Sequence, residues 1–246
     1  MITMRKTALI TGGVRGIGRA LALRLASEDW AIAACYKQSV RDARALRKEL
    51  KIQGASAWIT QADVSDPSTA EKLVLDTEKR FGRIDALINC VGAYHRGHLL
   101  EETAEDWRSM FDNNLHPVFY LCRAASAGFM RRGWGRIVNF GMVNAVQQIA
   151  QTHVTAHYIA KAGVVMLTRS LAKALAPHGV TANAISPGFI DSGGVPLEEL
   201  ALSYKNIPAG YIGSPNDVVS VVHWLLSDEA RYVNGANIQI SGAWGI

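Results

Sequence analysis

The chain has 246 residues, 49% of them apolar and 19% charged, with a formal net charge of +5. That balance excludes a disordered chain, and no uninterrupted apolar stretch is long enough to span a bilayer. The positive charge is modest and mostly scattered, so it calls for no nucleic-acid partner, and an anionic cofactor accounts for it. In chain order, Thr7 to Ile10 reads as a buried strand. A glycine-rich turn, Thr11 to Gly18, follows, and Arg19 to Glu28 carries Ala22, Leu25 and Ala26 at helical spacing. Strand and helix then alternate: Ala31 to Tyr36 and Arg41 to Gln53, Ala55 to Gln61 and Ser68 to Phe81. Ile84 to Asn89 precedes a long helical region from Ala104 to Arg132, broken near Phe111 to Asn114. Arg136 to Phe140 is a strand, Val154 to Ala176 a helix and Val180 to Ile185 a strand. Ser214 to Ser227 is a capped helix with Pro215 in its first turn, and Ala236 to Ile240 a last strand.

Nearly all-apolar strands alternating with helices predict one doubly wound α/β domain over residues 1–246, a parallel sheet with helices on both faces. No repeat, low-complexity tract or linker interrupts it. Cys35, Cys90 and Cys122 are widely spaced in apolar segments with no metal-ligand spacing, so they read as free buried thiols of a reducing compartment. The N-terminus lacks signal-peptide organisation, and the chain is expected in the cytoplasm. No metal is expected.

In such a sheet, ligands bind beyond the carboxyl ends of the strands. Glycines between a strand and a helix let the backbone approach a pyrophosphate, which rests on the amides of the helix N-terminus. Gly12, Gly16, Ile17 and Gly18 are therefore cofactor candidates. Three residues, rather than one, separate Gly12 from Gly16. The second strand ends Tyr36-Lys37 without the acid that meets a free ribose 2′-hydroxyl. Lys37, with Arg15 from the glycine turn, predicts a 2′-phosphate and hence NADP(H) over NAD(H).

Taken together, these residues resemble the short-chain dehydrogenase/reductase family over essentially the whole chain. Thr11 to Gly18 matches its glycine motif, and Asp63-Val64 the pair that holds the adenine. Asn89-Cys90-Val91-Gly92 is similar to its Asn-Asn-Ala-Gly turn, and Asn114 to the Asn of its long helix. Lys161-Ala162-Gly163 matches the end of the active-site motif, and Pro187-Gly188-Phe189-Ile190 the loop beside the nicotinamide. Ser192 falls where the family's Thr meets the cofactor. The β-ketoacyl-carrier-protein reductase branch is the most similar in look. The resemblance implies a seven-stranded Rossmann sheet and a homotetramer or homodimer, built through the long helices.

The family's Tyr, four residues before the Lys, exchanges the proton, and its Ser orients the substrate carbonyl. The Lys lowers the pKa of the Tyr and binds the nicotinamide ribose, while the Asn props a water. Here Lys161 and Asn114 stand, but position 157 is His and position 142, where the Ser is expected, is Met. The interval from Met142 to His157 is about two residues longer than the family norm, which allows Asn144 into the place of the Ser. Tyr158 lies three residues before Lys161. Residues i and i+4 share a helix face, so His157 inherits the position facing the nicotinamide while Tyr158 points aside. Three readings follow. His157 (or Lys161 itself) is the acid, the like charge of Lys161 depressing the imidazole; or Tyr158 serves through local distortion, with Asn144 for the Ser; or redox turnover is lost and a cofactor-binding or scaffold protein remains.

Residues 189–213 are expected to form a substrate lid, with Gly193-Gly194 as hinge and Leu197, Leu200, Leu202, Tyr204 and Tyr211 as its apolar surface. Tyr94, His95, His98, Gln147, Gln148 and His153 fall near the mouth, and none is assigned to the substrate. The expected activity is hydride transfer between NADP(H) and a small carbonyl or imine held near Met142 and His157.

Overall fold

The computed structural model describes residues 5–145, 147, 149–193 and 204–245. Its centre is one seven-stranded parallel sheet. The strands are β1 (Thr7–Thr11), β2 (Ala31–Tyr36), β3 (Ala57–Gln61), β4 (Ala86–Asn89), β5 (Gly135–Phe140), β6 (Val180–Pro187) and β7 (Asn237–Ile240). They lie in the order β3-β2-β1-β4-β5-β6-β7. The helices are α1 (Gly16–Ser27), α2 (Val40–Ile52), α3 (Pro67–Phe81), α4 (Ala104–Asn114), α5 (His116–Arg132), α6 (Thr155–Leu175) and α7 (Pro215–Leu226).

Alternate residues of each strand feed opposite faces, as the pleat requires. Ile10, Ile32, Ile88 and Val138 pack with Leu21, Leu25, Leu46 and Val222 on the face covered by α1, α2 and α7. Leu9, Ala33, Leu87 and Ile137 pack with Leu73, Leu121, Phe129 and Val164 on the face of α3, α5 and α6. Each fully buried side chain of this size stabilises the fold by about 1.5–3 kcal/mol, so two such layers fix the strand register firmly.

The chain runs outward from β1 to β3 and then returns to the other side of β1 as β4, so strand order reverses between β1 and β4. The register aligns Thr11 with Cys35 and with Asn89, and Asn89 with Asn139. The loops after β1, β2, β4 and β5 therefore open on one crevice, where doubly wound sheets hold ligands.

Several boundaries differ from the sequence reading for identifiable reasons. The long helix breaks at Leu115, one residue beyond the expected break, and Pro117 sits in the first turn of α5. A proline there has no N–H to continue the ladder of α4. α1 starts at Gly16 rather than Arg19. β3 starts at Ala57 rather than Ala55, because Ala55 N–H bonds back to Leu50 O at the end of α2. β4 starts at Ala86, although Ile84 is fully buried beside it. Asp66 caps α3 through a bond from Thr69 N–H (2.7 Å), and Ser214 with Asp217 forms a reciprocal cap on α7. Cys35 and Cys122 are buried free thiols, and Cys90 is half-buried and free. No described helix is long and apolar enough to cross a membrane.

Candidate active site

The crevice is an open groove of about 1180 Å³. It is lined by Gly12, Arg15, Gly16, Ile17, Gly18, Tyr36, Lys37, Gly92 and Ser192, with Cys90, Tyr94 and Phe140 among others. Gly12 adopts φ +61°, which favours glycine. Gly18 sits so close to the turn that a Cβ there would lie 2.5 Å from Gly12 O. Arg15 occupies the cap position of α1 without a side-chain cap, and no acid lies in the first turn. The first amides of α1 thus keep their hydrogens for an anion and the helix dipole favours one. A dinucleotide pyrophosphate fits this cradle.

At the β2 end, Lys37 Nζ contacts Asp63 Oδ2 at 2.8 Å, both side chains about half exposed. Ser65 Oγ and Ser65 N–H donate to Asp63 Oδ1 at 2.6 and 3.1 Å. Partial burial raises the Asp63 carboxyl, but the hydrogen bonds from Lys37 and Ser65 outweigh it and hold the group below its ordinary value. The sequence suggested separate duties, Lys37 with Arg15 for a phosphate and Asp63 for the adenine. Lys37 is instead engaged by Asp63, while Arg15 has no ion pair among the described residues. An exposed pair of this kind is worth about 0.2–1 kcal/mol, so it yields readily to a phosphate.

Other predicted cofactor residues support the groove without lining it. Val64 is buried in the layer under α3. Asn89 Nδ2 donates to Asn139 Oδ1 (2.8 Å), tying β4 to β5, which departs from a direct cofactor contact. Pro187 pairs with Ile240, and Gly188 N–H bonds to Ile240 O at 2.9 Å. Ile190 bridges Gly213, and Asp191 N–H bonds to Gly213 O at 2.8 Å, so the two ends of the segment 189–213 are pinned together. Gly194, Leu197, Leu200, Leu202 and Gln148 lie outside the described residues. Tyr204 and Tyr211 are exposed.

Lys161, Asn114 and Gly92 converge. A Cβ on Gly92 would lie 2.9 Å from Asn114 Oδ1 and 3.1 Å from Lys161 Nζ. Lys161 Nζ donates to Phe140 O at 2.9 Å. Burial lowers the ammonium from 10.5 to about 8, so it is charged at neutral pH yet releases its proton easily. Asn114 Nδ2 donates to Ala93 O (3.0 Å) and Met110 O (2.9 Å), and its Oδ1 is buried without a hydrogen-bond partner among the described residues.

His157 faces the same spot. Its Nδ1 lies 2.9 Å from Ala93 O. A carbonyl oxygen only accepts, so Nδ1 carries the hydrogen and the neutral ring leaves Nε2 bare. Burial and the charge of Lys161 lower the imidazole from 6.5 to about 4, against the opposing pull of Ala93 O. His157 is therefore neutral near pH 7, which corrects the picture of an imidazolium acid. The bare Nε2 is a proton acceptor.

Tyr158 turns the other way. Its hydroxyl donates to Asn144 O and accepts from Ile149 N–H at 3.3 Å, beside a second cavity lined by Ala162, Gly163 and Met166. Asn144 holds φ +68°, and its side-chain amide lies against Gly245. Met142 packs onto the apolar cluster of Ala145, Val165 and Ala184.

Sequence reasoning missed several participants. Ala93 O and Phe140 O position His157 and Lys161, and a backbone carbonyl leaves no residue-type signal. Tyr94 was noted at the mouth, but its ring meets the His157 ring edge-on, centroids 5.3 Å apart. Trp244 packs on Phe189 (4.4 Å), bringing the turn after β7 onto the loop after β6. The rings of His98 and His153 meet edge-on (5.3 Å), where Gly97 N–H bonds to His153 O. No described cluster of His, Cys, Asp and Glu has the makings of a metal site.

Comparison with known proteins agrees with this architecture. A family model described as enoyl-(acyl carrier protein) reductase matches residues 12–243. The chain is 36% identical to a 3-oxoacyl-[acyl-carrier-protein] reductase of Staphylococcus aureus, over 97% of this chain and 98% of that protein. It is 34% identical to the reductase of the same name from Haemophilus influenzae, over 96% and 97%. Among solved structures, a dehydrogenase/reductase from Sinorhizobium meliloti superposes with a TM-score of 0.90 at 31% identity, covering 98% of this chain and 95% of that one. Actinorhodin polyketide ketoreductase with NADPH gives a TM-score of 0.90 at 29% identity, covering 100% and 99%. With its crossover sheet, glycine cradle and Lys–Asn pair, the chain belongs to the short-chain dehydrogenase/reductase family of oxidoreductases.

Proposed function

We propose that this chain, acting as one NADP(H)-binding domain, catalyses hydride transfer between the nicotinamide and a small carbonyl or imine carbon. The reading rests on one observation: the uncapped N-terminus of α1 and the Lys161–Asn114–Gly92 convergence open on the same groove. The pyrophosphate would rest on Gly12 to Gly18 and the 2′-phosphate on Arg15 and Lys37, with Lys37 leaving Asp63. Lys161 would hold the nicotinamide ribose, and Ser192 the nicotinamide end. When bound, the cofactor supplies the hydride and its electron pair. The relatives named for acyl-carrier and polyketide ketones, one of them with NADPH, support the substrate class and the cofactor. Assembly through α4, α5 and α6 into a homotetramer or homodimer, and residence in the cytoplasm, belong to the same reading.

Fluorescence titration with NADPH and NADH tests the cofactor half, and NADPH affinity at least about tenfold higher is expected from the added charge-assisted contacts. Equal affinity removes the role of Arg15 and Lys37. NADPH oxidation across ketones, ketoacyl thioesters, imines and pterins tests the chemistry. The neutral imidazole and the diverted Tyr158 favour a second reading, a cofactor-binding protein without turnover. Tight NADPH binding with no oxidation of any substrate selects it.

A further inference from the structure

In the arrangement around α6, the groups expected to give a proton are committed elsewhere. The Tyr158 hydroxyl is held by Asn144 O and Ile149 N–H. His157 spends its one N–H on Ala93 O and shows a bare Nε2. Met142 has no donor. The Lys161 ammonium has one hydrogen on Phe140 O and stands behind Gly92, where the proposed reading places the ribose. A carbonyl becoming an alkoxide needs a donor aimed at its oxygen, and losing one such donor typically costs 10²–10³ in rate.

Two phenols line the groove without a hydrogen-bond partner among the described residues, Tyr36 at the end of β2 and Tyr94 in the loop after β4, and it is Tyr94 that stands beside His157. Tyr94 lines the groove with Gly92 and Ala93, is 65% exposed, and has no hydrogen-bond partner among the described residues. Its ring stands edge-on against His157, the residue at the place the family gives to a Tyr. The backbone that carries it is fixed on both sides. Ala93 O accepts from Asn114 Nδ2 and His157 Nδ1, while Gly97 N–H and Leu99 N–H bond to His153 O (3.0 Å) and Thr152 O (2.8 Å). A side chain on a pinned loop, braced by a buried ring, is held in place before a ligand arrives.

Building on the proposed function, we propose that Tyr94 is a catalytic residue, its phenol serving as the proton donor to the substrate's carbonyl or imine group. As the carbonyl carbon gains the hydride, the C=O π pair moves to oxygen, and that oxygen takes the proton of Tyr94 Oη. The O–H bond of Tyr94 breaks to a phenolate, which recovers a proton from the solvent that reaches it. His157 braces the ring, and its bare Nε2 does not compete as a donor. The donor has thus moved from the helix to the loop after β4.

Tyr94→Phe keeps the ring and removes only the hydroxyl. The expected result is an unchanged NADPH dissociation constant, an unchanged ¹⁵N signature of the His157 tautomer, and turnover of the best ketone substrate at least about 100-fold lower. Turnover within twofold of the parent overturns the proposal. If the parent reduces no substrate, the proposed function fails and Tyr94 is judged by binding alone, with ethyl 3-hydroxybutyrate titrated into NADP⁺-loaded protein. About tenfold weaker binding by Tyr94→Phe supports a hydroxyl contact to substrate oxygen. Equal affinity, or binding by neither protein, overturns it.

Discussion

The two ends of the groove are built from different materials. The cradle at Gly12 to Gly18 is made of backbone: a left-handed turn, a 2.5 Å approach that only a missing Cβ permits, and the free amides of α1. The far end is made of side-chain directions, with His157 bonded to Ala93 O, Tyr158 to Asn144 O and Lys161 to Phe140 O. Backbone requirements write themselves into the sequence as glycines at fixed intervals. Directions depend on which carbonyl happens to be near, and the same residues at the same spacing point elsewhere when a loop changes length.

If the contrast holds, the cradle fails sharply and the far end fails selectively. Gly18→Ala puts a methyl against Gly12 O. We expect a loss of on the order of 3 kcal/mol in stability, seen as a lower Tm, and at least about 100-fold weaker NADPH binding by fluorescence. Lys161→Met does the opposite to stability. The folded pKa of about 8 lies below 10.5, so the cost of burying the charge is complete below pH 8 and is relieved as pH climbs toward 10.5. The variant is expected to gain about 3 kcal/mol at pH 7 by urea unfolding, while nicotinamide binding and turnover collapse. A destabilised Lys161→Met would mean that the bond to Phe140 O outweighs the desolvation.

His157 sharpens the comparison through acid. Its folded pKa of about 4 lies below 6.5, so the unfolded chain binds the proton first and stability drops as pH falls from 6.5 toward 4. About 3 kcal/mol of this slope should vanish in His157→Phe, measured by denaturant melts across that window. Lys37→Ala is expected to weaken NADPH binding by roughly tenfold while leaving NADH within about twofold, since only the 2′-phosphate contact is removed. Tyr158→Phe is the mildest, costing about 1 kcal/mol from the bonds to the 144–149 loop and leaving turnover near the parent's. A large loss of turnover in Tyr158→Phe would return the proton to the helix.

Much of this was legible before any coordinates. The alternation of strand and helix and the crevice beyond the strand ends follow from apolar runs and from glycine placement, because those patterns repeat one physical demand many times over; the order of the strands does not. The break at Leu115 was misplaced by one residue, since Pro117 acts on the turn before it. The Lys37–Asp63 contact was hidden because its partners belong to different strand ends, brought together by the β2–β3 register. The proximity of Asn144 to Gly245, a residue 101 positions away in the chain, has no signal in the sequence. Tyr94 was visible as an aromatic near the mouth, but the ring of His157 is what gives it a direction.

Trp244 rests on Phe189, and Gly245 lies against Asn144, so the turn after β7 ties the loop after β6 to the loop after β5. Trp244→Ala would retain every residue of the glycine cradle and loosen that tie. One packing contact would then separate holding a nucleotide from shaping what meets it, and the turn after β7 becomes a place where substrate preference can drift while the nucleotide site stays intact.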